Sequence, residues 1–142
     1  FATCPKTGLQ LKCRIDWLKK REIVDLKTAK DASTSAFTKA MASYKYASQA
    51  AFYKYVSELL NLDIVGFYFI ALELEPIPMP NVILLSEFDL ELATLDLHKT
   101  LAKLAGCVES GVCEGYCVGA NVVTLPPWAH EAEYAEALDM EG

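Results

Sequence analysis

The stretch Cys13-Arg-Ile-Asp-Trp-Leu-Lys-Lys-Arg-Glu-Ile-Val-Asp-Leu-Lys-Thr-Ala-Lys-Asp31, CRIDWLKKREIVDLKTAKD, decides how the rest of the chain is read. Leu9, Leu11, Cys13, Ile15 and Trp17 alternate with Gln10, Lys12, Arg14 and Asp16, a period of two that predicts a half-buried strand over 9–17. KKRE (19–22) supplies a turn, and Ile23–Lys27 the second strand of a hairpin. Strand alternation puts Val24 and Leu26 on one face and Ile23, Asp25 and Lys27 on the other. An acid and a lysine therefore share a face with an apolar residue, and the neighbouring strand brings Asp16 close.

Working outward, Ser33 or Thr34 in KDAST (30–34) is the expected N-cap of a helical region over about 34–61. SYKY (43–46) marks a break, so two helices are expected. In the second, Gln49 and Tyr53 are four apart and lie on one side. IVGFYFIALEL (64–74) reads as a central strand, apolar on both faces. EPIPMPN (75–81) connects it to a strand over 82–86. The leucines of 87–106 predict an amphipathic helix whose His98 faces solvent. Residues 106–121 are Gly-rich and irregular, and a short helix is expected over about 128–138. The order ββαα-ββ-α predicts an α/β fold with a mixed sheet flanked by helices, in a single domain over 1–142.

The net charge is −6, unevenly spread. Residues 1–54 hold 11 of the 13 Lys/Arg and four of the 19 Asp/Glu, which hints at an anion-facing half. No apolar run reaches the roughly 18 residues of a membrane span. The absence of a basic-then-apolar leader and the odd count of five cysteines point to a reducing cytoplasm. Cys107, Cys113 and Cys117 form a partial metal pattern, but no CxxC pair supports it. The chain starts without Met, within what reads as a strand, and is expected to be part of a longer protein.

Two nearby carboxylates can hold a divalent metal through hard oxygen ligands, and such ions activate water for phosphodiester cleavage. A lysine on the same face can orient that water or steady developing charge. A D-x-K triplet alone is weak; Asp16-x8-Asp25-x-Lys27 followed by Gln49-x3-Tyr53 is far more specific. Lys12 and Arg14 alternate with the apolar face and could reach phosphate; Thr28 and Lys30 could line a cleft.

On TGLQLKCRIDWL (7–18), IVDLKTAKDAS (23–33), YKYASQAAFY (44–53) and VVTLPPWA (122–129), the chain resembles the PD-(D/E)XK nucleases, and among them the nuclease domain of the exodeoxyribonuclease VIII type. The resemblance implies a restriction-endonuclease-like core lacking its N-terminal helices. Asp16 then matches the first metal-binding aspartate, Asp25 and Lys27 the (D/E)xK pair, and Gln49 and Tyr53 the Q-x3-Y motif that helps place the DNA strand. The carbonyl of Leu26 becomes a further metal ligand. The implied activity is Mg²⁺-dependent (or Mn²⁺-dependent) 5′ to 3′ digestion of linear duplex DNA. The resemblance also implies ring-like trimers or tetramers and a single-strand annealing partner in phage-type recombination. Two alternatives stay open: a catalytically incomplete nuclease-fold module that binds DNA or assembles a complex, and a restriction-type endonuclease. Ile15 stands where the family often has proline, and the upstream helices of the family carry a histidine and an acid that this chain does not supply. Some related nucleases hold an iron–sulfur cluster on three late cysteines and an early one, a pattern matched only in part.

Overall fold

A computed structural model describes residues 1–113, 115, 120 and 122–129. The chain divides into two units, 1–111 and 112–142. The first unit opens with a two-stranded ribbon, β1 (Ala2–Thr3) and β2 (Gln10–Leu11), followed by β3 (Trp17–Lys19) and β4 (Glu22–Ala29). Helices α1 (Thr34–Tyr44) and α2 (Tyr46–Leu59) come next, then β5 (Gly66–Glu73), β6 (Met79–Leu84) and α3 (Glu87–Ser110). The main sheet has the order β3-β4-β5-β6 and is mixed: β4 and β5 are parallel, and both outer pairs are antiparallel. The mixed sheet with helices agrees with the sequence reading.

The strand expected over 9–17 is not continuous. Leu11 pairs with Ala2, no ladder spans residues 12–15, and pairing resumes at Trp17 opposite Val24. The alternation survives because the segment crosses between two cores. Leu9, Leu11 and Cys13 pack into a cluster with Cys4, Val56 and Leu101, whereas Ile15 packs against the cluster of Ile23, Phe37, Ala50, Phe67 and Phe69. Alternation thus records burial and not strand pairing. Lys12 and Arg14 are exposed on this unpaired stretch and not on a strand face.

The larger core lies between α1, α2 and one face of the sheet, where Phe67, Phe69 and Ala71 of β5 are buried. The opposite face departs from expectation. Tyr68, Ile70 and Leu72 are half-buried there, and their neighbours Leu26, Val82 and Leu84 are exposed. β6 begins at Met79, earlier than the expected 82, because an edge strand tolerates Pro80 and its missing N–H.

Ser33 caps α1, accepting from Ala36 N–H at 3.4 Å. The break predicted at 43–46 is sharp: Lys45 takes a left-handed conformation, φ 58°, and its N–H closes α1 onto the Met41 carbonyl. Buried Ala50 and Ala51 leave room for α2 to lie close to its neighbours. α3 runs past Gly106 to Ser110 and stops at Gly111, whose φ of 68° suits a residue without Cβ. His98 does not face solvent; it stands half-buried, edge-on to Tyr55 with centroids 5.0 Å apart. Among the described residues no helix is long and apolar enough to cross a membrane.

In the second unit the short turn Pro127–Ala129 is closed by Ala129 N–H to the Pro126 carbonyl. The rest of the helix expected over 128–138 lies outside the described residues, as does Cys117.

Candidate functional site

β4 is an inner strand, so its helix-facing residues are buried, and Asp25 is only 2% exposed. An isolated carboxylate there would be costly. Two residues on, Lys27 supplies the counter-charge, its Nζ 2.5 Å from Asp25 Oδ2. That contact lies off the hydrogen-bonding direction, so Oδ2 is ion-paired yet has no directed hydrogen bond. Gln49 reaches down from the first turns of α2 to complete the set. Its Nε2 donates to Asp25 Oδ1 at 2.8 Å, and its Oε1 accepts from Lys27 Nζ at 3.0 Å. One amide thus joins the acid and the base. Above them, Lys27 Nζ lies 4.8 Å from the centroid of the Tyr46 ring, a cation–π contact.

Asp16 enters from the other side. Its Oδ2 accepts from the Leu26 N–H at 3.0 Å. The β3–β4 ladder ends at Trp17–Val24, and continuing that register by one residue sets Asp16 opposite Asp25. The Asp16 carboxylate takes the place of a ladder partner for Leu26. In an extended strand the N–H and C=O of one residue project to the same edge, so the Leu26 carbonyl faces the Asp16 side as well.

These positions decide what the site can hold. Two carboxylates and a strand carbonyl are hard oxygen donors of the kind a divalent cation takes, although Asp25 Oδ2 is already ion-paired to Lys27. Among the described residues no group of three or more His, Cys, Asp or Glu could hold a metal ion. A cation here would therefore draw on two carboxylates and complete its shell with water or phosphate oxygens, as Mg²⁺ commonly does.

The other residues singled out in the sequence fall into two sets. Tyr53 belongs to the core: its ring packs on Phe67 at 6.3 Å and Phe52 at 6.4 Å, and its hydroxyl bonds none of Asp25, Lys27 or Gln49. Thr28 and Lys30 continue β4 outward and are exposed beside the groove next to Tyr46. Lys12 and Arg14 are exposed; the Lys12 Nζ sits 5.5 Å from the Phe1 ring centroid. Cys107 lies half-buried in the last turn of α3, and Cys113 is exposed. Tyr46 escaped the sequence reading as a site residue. Its signal was its place at the break, two residues after Tyr44, and nothing local tied it to Lys27.

An acid-x-lysine pair on an inner strand of a mixed sheet flanked by helices is consistent with a PD-(D/E)XK-like core. Residues 1–126 match the family described as "PDDEXK-like domain of unknown function (DUF3799)", and the chain belongs to that family. Its fold is also similar to the crystal structure of a protein from Eubacterium rectale described as a "Putative exonuclease". The TM-score is 0.54 at 16% identity, over 82% of this chain and 48% of that one, so the likeness is one of fold and the chain spans about half the length of that relative. No curated protein matches the chain.

Proposed function

We propose that this chain is a nuclease-fold module that engages DNA, and that Asp16, Asp25, Lys27 and Gln49 are its part of a metal-dependent phosphodiesterase centre. One observation carries the reading: Gln49 hydrogen-bonds both Asp25 and Lys27, holding the acid and the base of the D-x-K pair in one cluster.

In this reading Asp16, Asp25 and the Leu26 carbonyl are the groups that would hold Mg²⁺ or Mn²⁺. A cation held there would supply Lewis-acid polarisation of the phosphate and a lowered pKa for the attacking water. Lys27 orients that water and offsets charge developing on the phosphate oxygens. Gln49 fixes the Lys27 rotamer, and Tyr53 positions α2 so that Gln49 reaches both partners. Lys12, Arg14, Thr28 and Lys30 contact the strand backbone. The finer form is a cytoplasmic 5′ to 3′ exonuclease with two metals, acting on duplex ends. It works as a ring-like homo-oligomer beside a single-strand annealing protein.

A second reading is favoured by a specific observation. The described residues bring two carboxylates and no third His, Cys, Asp or Glu ligand, and the Asp25 carboxylate is already met by Lys27 and Gln49. On that reading the chain binds DNA or assembles with a partner without cutting. The test offers the chain linear duplex DNA and covalently closed circular DNA with Mg²⁺ or Mn²⁺. Loss of the linear form alone supports the exonuclease, with polarity read from end labels. Cutting of the circle points to a restriction-type endonuclease. Binding to both without cleavage establishes the incomplete module, and no binding to either ends the DNA reading.

A further inference from the structure

In an uninterrupted helix, residues i and i+2 point about 200° apart and cannot touch. Tyr44 and Tyr46 nevertheless stack, with ring centroids 5.6 Å apart and planes 24° from parallel. The left-handed Lys45 between them makes this possible: it ends α1, starts α2 and turns both rings to the same side. The pile continues inward, since Tyr46 also stacks on Phe69 at 5.7 Å and 28°. Tyr46 is the ring that covers Lys27 Nζ. Outward, the pile ends at Tyr44, which is 70% exposed. One intervening ring therefore separates an open aromatic face from the lysine of the D-x-K pair.

Core packing explains Tyr46 and Phe69 but not Tyr44. A groove of about 270 Å³ runs beside it, lined by Thr28, Lys30, Ala36, Ala40, Tyr44 and Tyr46. Its mouth carries an ammonium and a hydroxyl, both suited to phosphate. The acid on the same rim, Asp31, is turned to Ser33, accepting from its N–H at 2.8 Å. An aromatic plane open on one side, beside a cation and within one residue of a phosphodiesterase-type cluster, has the two elements that proteins use to hold unpaired nucleic-acid strands.

We infer that Tyr44 is a stacking platform for an unpaired nucleobase of the bound strand, with Lys30 and Thr28 taking the adjoining phosphate. The inference rests on the reading of the neighbouring cluster as a DNA site. The platform takes any base, because every base has a π-face.

The test uses the full chain in chelator, so that no cleavage intervenes. Its ligand is a duplex with a short frayed end that carries a fluorescent purine. Wild type is expected to quench the purine and to bind the frayed duplex. Tyr44→Phe should match it, and Tyr44→Ala should weaken binding about tenfold and abolish the quenching. Cooperative thermal unfolding of both variants, with Tyr44→Ala lowered by no more than the lost stack on Tyr46, separates the effect from folding. Equal binding and quenching by Tyr44→Ala overturns the platform and leaves the DNA reading intact. Loss in Tyr44→Phe equal to that in Tyr44→Ala also overturns it, because stacking needs no hydroxyl. No binding of the frayed duplex by wild type also overturns the platform, and the DNA reading is then judged by the assay with Mg²⁺ or Mn²⁺.

Discussion

Gln49 donates to Asp25 Oδ1 at 2.8 Å while its carbonyl oxygen accepts from Lys27 Nζ at 3.0 Å. Both amide groups serve a charged partner, and hydrogen bonds to charged groups contribute about 1.5–3 kcal/mol each. Gln49→Leu keeps the volume and removes both. We expect a loss of about 3 kcal/mol in urea unfolding. Gln10→Leu is the control: its amide meets Thr3 in the open, and the change should stay within about 0.5 kcal/mol. A Gln49→Leu variant as stable as wild type would show that the amide bridges nothing of consequence.

The pair beneath that amide is nearly desolvated, with side-chain exposures of 3% for Asp25 and 19% for Lys27. Removing one member strands the other, which costs about 3 kcal/mol or more, whereas replacing both by apolar groups is often tolerated. Asp25→Leu and Lys27→Met should each be strongly destabilising, and the double variant should recover at least about 1 kcal/mol relative to their sum. Additive losses would mean that the ion pair is not coupled. Activity comparisons at either position need this stability measurement beside them.

Much of this site is legible in the sequence because its determinants are local. Strand alternation places Asp25 and Lys27 on one face, Ser33 announces a helix start, and the four-residue spacing puts Gln49 and Tyr53 on one side. What stays hidden depends on contacts across the fold. Leu11 and Ile15 obey the same alternation yet reach different cores, so the pattern predicts a single strand where the ladder is interrupted. His98 sits on a polar-looking helix face, and only the approach of α2 brings Tyr55 against it. Gly106 looks like a stop, but a single helical glycine costs only about 1 kcal/mol, and α3 continues to a glycine that adopts the left-handed turn.

Lys45 is a lysine in a conformation that costs most L-residues about 1 kcal/mol. Glycine adopts it freely. Lys45→Gly should therefore raise stability by up to about 1 kcal/mol, and Lys45→Val should lower it by more than that, as measured by thermal unfolding. A gain from valine would argue that the α1–α2 joint is not held at this φ.

A second, part-buried contact is expected to make stability depend on pH. Cys4 Sγ and the Tyr55 hydroxyl are 3.3 Å apart. Burial pushes the thiol up, but hydrogen bonds from Thr7 and Tyr55 outweigh it and bring it down to about 7. The hydrogen bond to Cys4, with burial, pushes Tyr55 up to about 12. A thiol lowered in the fold is protonated at a higher pH in the unfolded chain, so the unfolded state binds more protons between the two values. The stabilisation is present above about pH 9 and is lost as pH falls through about 7. Melting temperature should rise across that window, and Tyr55→Phe should flatten the rise. A wild-type profile no steeper than that of Tyr55→Phe would remove the coupling.

Asp16 does two things that a pair of substitutions can separate. Its Oδ2 stands in for a ladder partner of Leu26, and its charge lies opposite Asp25 by register. Asn keeps an oxygen acceptor for the Leu26 N–H and removes the charge; Ala removes both. Asp16→Asn should unfold within about 0.5 kcal/mol of wild type, and Asp16→Ala about 1 kcal/mol earlier, the usual net worth of one such hydrogen bond. Calorimetric titration with Mn²⁺ should show saturable binding to wild type and none to either variant, because a hard cation draws on the carboxylate charge. If Asp16→Asn binds Mn²⁺ like wild type, the residue is a strand-end brace and not a ligand. If Asn loses the metal while keeping the fold, the same carboxylate shapes the hairpin and serves the site.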